Sequence, residues 1–520
     1  MQKILKSIVL IGLMTSQLVS MSQIVLSDSG LIPKPVSVIP AVGAFTLTEN
    51  CNIFITDEST EMMQIGKYLN EKLSPSTGFA LSVKTSNGNQ SAGNIYLSLS
   101  ANDTQLGDEG YQLTINSDAI NLTANKPEGL FNGIQTIRQL FPAKIEMASR
   151  QQGPWEIPAG TIRDYPEYSY RGVMLDVARH FFQVKDVERY LDLMAGYKMN
   201  RMHLHLADDQ GWRIEIKKWP KLTEIGGSTK VKGGKGGFYT QEQYTEIVKY
   251  AAERYITIIP EIDMPGHTNA ALASYPELNC NNKATKLYTG TSVGFSTLCT
   301  KKEITYQFIA DVFGELAAIT PGPYLHIGGD ESQATKIGDY IPFVNKVQDI
   351  IETLGKQVIG WDDIAVSTLR PNSCIQYWSK ASNALKGVKQ GANIIMSPSA
   401  NAYIDMKYDS LTKLGLHWAG YIEVNKGYNW NPATLVGGIH KENILGIEAP
   451  LWSETVTNIS QLEYMVFPRL PGYAEIGWSA PLTRNWNEYK VRLGRHGERF
   501  RALQINYYPS KLVPWSVPVE

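Results

Sequence analysis

The chain has 520 residues, 43% of them hydrophobic and 19% charged, the balance of a globular protein with a large core. Lys and Arg total 49 against 50 Asp and Glu, so the basic footprint of a nucleic-acid binder is absent. Four cysteines are too few for a disulfide scaffold, and none is spaced with histidine as in a zinc site.

Two lysines in residues 1–6 precede an apolar stretch at 8–13 that Leu18 and Val19 extend. That order predicts a cleaved secretory signal over 1–23 and an exported, secreted or periplasmic protein. Thr15, Ser16 and Gln17 interrupt the run, which is too short for a membrane span, and no later run is long enough. No cysteine lies close behind it to carry a lipid anchor.

Residues 24–166 read as an α+β domain. Alternating runs at 45–48, 94–99 and 111–115 predict strands, and 61–73 and 129–141 have helical periodicity. After Pro166, apolar runs at 171–176, 201–206, 257–261, 324–328, 357–361, 373–377, 393–396 and 445–448 alternate with amphipathic segments such as 184–197, 240–254 and 303–318. Such βα units over 167–507 predict a (β/α)₈ TIM barrel, followed by a tail at 508–520. Cys280 and Cys299 flank a polar stretch and are expected to pair, whereas Cys51 and Cys374 read as buried free thiols.

A barrel places reactive residues just past the C-terminal ends of its strands. Asp176 and Arg179, Asp208 and Asp209, then Glu261, Asp263 and His267 follow the first three. Asp330 and Glu331, Trp361 and Asp362, Trp378, and finally Trp452 and Glu454 follow later ones. In His326-Ile-Gly-Gly-Asp-Glu-Ser332, two glycines that let a ligand approach precede two adjacent carboxylates. A neighbouring carboxylate and an apolar wall raise a carboxyl pKa, as the acid of a glycosidase requires. Trp361, Trp378 and Trp452 either fill the core or wall a sugar pocket. Their polar companions (Asp362 and Asp363, Gln376, Ser453 and Glu454) favour the pocket as acceptors for sugar hydroxyls. His267 could link Asp208 to the acid. A metal held by His203, His205 and His267 is the lesser reading, since His203 and His205 share a strand face and can both point inward. The loop 226–237, with Lys230, Lys232 and Lys235, lacks the strand–GxxxxGK[ST]–helix order of a phosphate cradle and reads as a flexible surface loop.

Val177-Ala-Arg-His-Phe-Phe182, His203-Leu-His-Leu-Ala-Asp-Asp-Gln-Gly-Trp-Arg213, Glu261-Ile-Asp-Met-Pro-Gly-His267 and His326-Ile-Gly-Gly-Asp-Glu331 resemble the signatures of glycoside hydrolase family 20, the β-N-acetylhexosaminidases. The resemblance covers the barrel nearly end to end and extends to the α+β domain before it. It implies an exo-enzyme that acts on glycans ending in N-acetylhexosamine, needs no cofactor or metal, and retains anomeric configuration through the substrate's acetamido group. Glu331 would be the acid and base, Asp330 and Tyr403 would hold the acetamido group, and His267 and Asp208 would tune the acid. Arg179, Asp405 and Glu454 match positions that hold ring hydroxyls, alongside Trp361, Trp378 and Trp452. A preference for a disaccharide unit, a sulfated sugar or a galacto-configured one stays open, as does monomer or homodimer. The readings from other classes are a sugar-binding protein on a decayed barrel and a metal-dependent hydrolase; the acid at Glu331 argues against the first.

Overall fold

The computed structural model describes residues 25–100 and 102–516; the expected signal segment at 1–23 lies outside the described residues, as do 517–520 of the expected tail. A seven-stranded mixed sheet comes first. Ser37–Thr46, Glu156–Asp164, Tyr111–Ile115 and Ala119–Ala124 pair antiparallel in that order, and Asn94–Leu99, Asn52–Ile55 and Ser82–Thr85 continue the sheet in parallel. The strand expected at 45–48 is the end of a longer one whose register shifts between Pro40 and Ala44, where Gly43 blurs the alternation. Helices Thr60–Thr77 and Pro127–Leu140 cover the sheet. The first buries Met62, Ile65, Leu69 and Leu73, one stripe at helical spacing. Ser59 caps its N-terminus by accepting from the Met62 N–H, and Gly78 ends it at φ 71°, a conformation glycine adopts without strain.

Eight parallel strands then close a barrel: Tyr170–Asp176, Arg201–His205, Thr257–Glu261, Tyr324–His326, Gln357–Trp361, Cys374–Tyr377, Asn393–Met396 and Ile444–Leu451. The eighth pairs with the first from Gly446–Tyr170 to Leu451–Leu175, which completes the ring. Helices including Val184–Ala195, Gln241–Ala252, Glu303–Ile319 and Ile337–Thr353 surround it. This is the TIM barrel, preceded by the smaller α+β domain. At its bottom Tyr170, Ile259, Ile359, Cys374 and Ile395 form an apolar plug. Side chains two residues further along a strand share its face, so the next layer up contains Glu261, Trp361 and Gln376, joined by His203, His205, His326 and Glu448, all buried.

The two domains meet at Asp164. Its carboxylate accepts from Lys198 Nζ at 2.8 Å, the Tyr111 hydroxyl at 2.7 Å and the Trp478 indole N–H at 2.8 Å. Cys280 and Cys299 form a disulfide, and Cys51 and Cys374 are buried free thiols. Among the described residues, no helix is long and apolar enough to cross a membrane.

Candidate active site

The site is assembled at the C-terminal ends of the barrel strands. Asp176 closes the first: one carboxylate oxygen accepts from the main-chain N–H groups of Ala178 (2.8 Å) and Arg179 (3.0 Å). The other accepts from the N–H (2.9 Å) and hydroxyl (3.0 Å) of Ser453, past the eighth strand. This bracing aims Arg179 inward. Its Nη2 lies 2.6 Å from Asp208 and its guanidinium stacks 4.8 Å from the Trp452 ring centroid; its buried Nε and Nη1 make no hydrogen bond among the described residues, although Nη1 lies 3.6 Å from Asp176.

Asp208 sits in a two-residue hairpin, Ala207–Asp208 against Gly211–Trp212. It contacts His205 Nε2 at 3.0 Å and His267 Nδ1 at 3.2 Å. Burial opposes its charge, but Arg179 and His267 outweigh burial and hold the carboxyl well below its ordinary range. On the far side of the imidazole, His267 Nε2 lies 3.5 Å from Glu331 and 3.8 Å from Asp330. Burial also opposes the imidazolium, yet Asp208 and Asp263 raise its pKa well above the usual value. The structure thus brings Asp208, His267 and Glu331 into one line.

Glu331 adopts φ 46°, a left-handed conformation that costs a non-glycine residue energy and turns its half-buried side chain into the barrel mouth. The glycines before it serve differently from the expectation. A Cβ on Gly328 would lie 1.8 Å from Asp263 Oδ1, and one on Gly329 would lie 2.4 Å from Ile364, so they make room for protein side chains rather than ligand.

Side-chain atoms of Asp263, His267 and Asp330, one from each, lie within 4.8 Å of one another, and Asp330 Oδ1 and Asp263 Oδ2 of the buried pair make no hydrogen bond among the described residues. Burial, then the Asp263 charge, raises Asp330 well above the carboxylate range. Burial likewise lifts Asp263 to about 7. Two such carboxyls cannot both ionise at low cost.

The remaining wall is aromatic. Trp361 is buried and donates to Glu261 at 2.8 Å, and its ring lies 5.8 Å from that of Trp452. Tyr403, buried, stands 6.4 Å from Trp452. Trp378 is half-buried and donates to Asp363 at 3.2 Å. Asp405 is buried and Glu454 half-buried, and both oxygens of Asp405 and the buried Oε2 of Glu454 have no hydrogen-bond partner among the described residues. Burial, with Glu454 adding, raises Asp405 well above its ordinary value; burial also raises Glu454, against Arg179.

Several companions expected to serve sugar hydroxyls are engaged within the protein instead. Asp362 accepts from the N–H groups of Trp378, Ser379 and Lys380, Asp363 binds Trp378 and Lys380, Gln376 donates to Glu448 and Ser397, and Ser453 donates to Asp176. Short loops need their N–H groups capped, and Asp362 does this for residues 378–380.

Sequence reasoning misses Trp418, 56% exposed, whose ring stands edge-on to Tyr403 at 5.8 Å and Trp378 at 6.2 Å. It lies far along the loop after the seventh strand, where no periodicity marks it. His203, Glu261 and His326 could hold an ion by proximity. Glu261 is instead filled by His205 (2.5 Å), His203 (3.0 Å), His326 (3.2 Å) and the Trp361 indole. An ion would have to displace these contacts. His203 and His205 point inward, as their shared strand face predicts.

Residues 168–481 match the glycosyl hydrolase family 20 catalytic domain, and 28–165 match that family's domain 2. The chain belongs to glycosyl hydrolase family 20. The β-N-acetylhexosaminidase of Cellulomonas fimi is 38% identical over 495 residues, spanning 94% of this chain and 98% of that one. The family 20 β-N-acetylhexosaminidase structure from Streptomyces coelicolor A3(2) superposes with TM-score 0.91 at 48% identity, covering 94% of this chain and 99% of that one. The Vibrio harveyi exo-β-N-acetylglucosaminidase with N-acetylglucosamine gives TM-score 0.80 at 30% identity, covering 95% and 80%. This family member is a glycoside hydrolase of the β-N-acetylhexosaminidase kind.

Proposed function

We propose that the chain removes terminal β-linked N-acetylglucosamine or N-acetylgalactosamine with retention, using the substrate's acetamido oxygen as nucleophile. The observation that carries this reading is the adjacency of Asp330 and Glu331 on one turn. A two-carboxylate retaining scheme needs an acid and a nucleophile on opposite sides of the scissile bond, about 5–5.5 Å apart. Neighbours on one turn are poorly placed to flank a bond.

Glu331 protonates the glycosidic oxygen while the acetamido carbonyl oxygen attacks the anomeric carbon; the bond to the leaving group breaks and an oxazolinium ring forms. Asp330 accepts the acetamido N–H and balances the developing positive charge, and the Tyr403 hydroxyl donates to the acetamido oxygen. Glu331, now a carboxylate, takes a proton from water as that water attacks the anomeric carbon and reopens the ring. His267, held by Asp208, positions Glu331. Arg179 donates to the ring hydroxyls, and Asp405 and Glu454 accept from them, with the buried atoms described above. Trp361, Trp378 and Trp452 exclude water around the sugar. The Cys280–Cys299 disulfide supports the export expected from residues 1–23.

Side-by-side hydrolysis of the 4-nitrophenyl β-glycosides of N-acetylglucosamine and glucose, with and without a thiazoline inhibitor, tests this reading. Cleavage of the acetamido sugar alone, blocked by the thiazoline, is expected; equal cleavage of both overturns it.

A further inference from the structure

The lysine-rich loop 226–237 is no phosphate cradle, and the proposed reaction does not use it. It is pinned rather than loose: Arg213 binds the carbonyls of Gly227 (3.0 Å) and Thr229 (2.7 Å), and the Val231 N–H donates to the carbonyl of Arg179 at 3.1 Å. The Lys232 N–H donates to Thr289 at 2.8 Å, which stitches this loop to the one closed by Cys280 and Cys299. The second loop is anchored to the site as well. Gln210 binds the carbonyl of Gly290 and Asn269 that of Lys286, both at 2.9 Å, and Ala334, three residues past Glu331, donates to Gly294 at 3.1 Å.

Together the two loops line the mouth beside the first four strands. They carry Lys230, Lys232, Lys235, Lys283 and Lys286, and neither 226–237 nor 279–302 contains an aspartate or glutamate. Four of these lysines are exposed and Lys230 is half-buried. The lysines that do pair with carboxylates, such as Lys217, Lys218, Lys301 and Lys380, are others. In a chain of net charge −1, this is a one-signed patch. The opposite lip, from the loops after the sixth and seventh strands, is aromatic, with Trp378 and Trp418 edge to face.

In an exo-enzyme the terminal sugar fills the pocket, and the rest of the glycan leaves through the mouth. We infer that the lysine lip binds an acidic group, a uronate carboxylate or a sulfate, on the saccharide that leaves, so that the preferred substrates are anionic glycans. The inference rests on the hydrolase reading above. One exposed lysine contributes little, but five of one sign beside a concave mouth act together on a charged substrate.

The test compares two disaccharides, N-acetylglucosamine β-linked to glucuronate and to galactose, in the full chain and in a variant with Lys230, Lys232, Lys235, Lys283 and Lys286 all changed to Gln. At about 0.01 M salt, where charges act over about 30 Å, kcat/KM should favour the uronate about 10-fold. That preference should vanish near 1 M salt and in the variant, whose hydrolysis of the neutral disaccharide stays at the parent rate. Equal rates for both disaccharides at low salt, or a uronate preference that survives in the variant, would overturn the inference. Failure of the parent chain to cleave either disaccharide or a chromogenic N-acetylglucosaminide would overturn the hydrolase reading itself.

Discussion

His267 Nε2 lies 3.5 Å from Oε2 of Glu331. The same imidazole is fixed from behind by Asp208, so the group that places the acid is itself held by a carboxylate charged against two cations. Glu331→Gln removes the transferable proton while keeping shape and hydrogen-bonding capacity. Its kcat should fall by at least about 10²–10⁴-fold with an unchanged unfolding midpoint, as steady-state kinetics and circular dichroism would show.

The proximity of the Asp263 and Asp330 carboxyls predicts a pH effect. Asp330 must be a carboxylate to accept the acetamido N–H, and Asp263 opposes its ionisation. Asp263→Asn removes that charge, so Asp330 ionises at lower pH and the acid limb of the kcat/KM profile moves to lower pH. An unmoved limb would show that the two carboxyls are not coupled.

Both oxygens of Asp405 and Oε2 of Glu454 are buried and make no hydrogen bond among the described residues. Hydrogen bonds to charged groups contribute about 1.5–3 kcal/mol, so Asp405→Asn should lower kcat/KM about 10–100-fold. The same change relieves a buried carboxylate and should leave the melting temperature of the free protein equal or higher. A drop in both would mean that Asp405 holds the fold rather than the substrate.

The interior histidines predict an alkaline loss of stability. Burial opposes their charge, but Glu448 and Glu261 raise His203 to about 9, and Glu261 and Asp208 raise His205 to about 10. A folded-state pKa above the unfolded value of about 6.5 stabilises fully below that value and is lost as pH rises through the folded one. Thermal unfolding should therefore shift to lower temperature from about pH 7 to about pH 10, and a His205→Gln variant should show a shallower decline.

The eight barrel strands were legible because each is a short apolar run between amphipathic helices, and the positions past their ends named Arg179, Asp208, His267, Asp330, Glu331 and Trp452. Tyr403 and Asp405 came from resemblance alone, since their loop follows no periodicity. Trp418 stayed hidden for the same reason. The roles of Gly328 and Asp362 could not be read, because each depends on a residue distant in sequence: Asp263 packs against Gly328, and Asp362 caps the N–H groups of 378–380. The interior network of Glu261 and Glu448 was likewise invisible, as it joins side chains from six strands across the barrel.

Participation of the acetamido group is the central claim, and fluorination tests it most directly. Hydrolysis of 4-nitrophenyl β-glucosaminides acylated with acetyl, fluoroacetyl, difluoroacetyl and trifluoroacetyl groups varies the nucleophilicity of the carbonyl oxygen with little change in size. If that oxygen attacks the anomeric carbon, log kcat/KM falls steadily with each fluorine. A flat series would contradict the account and return the nucleophile to the protein.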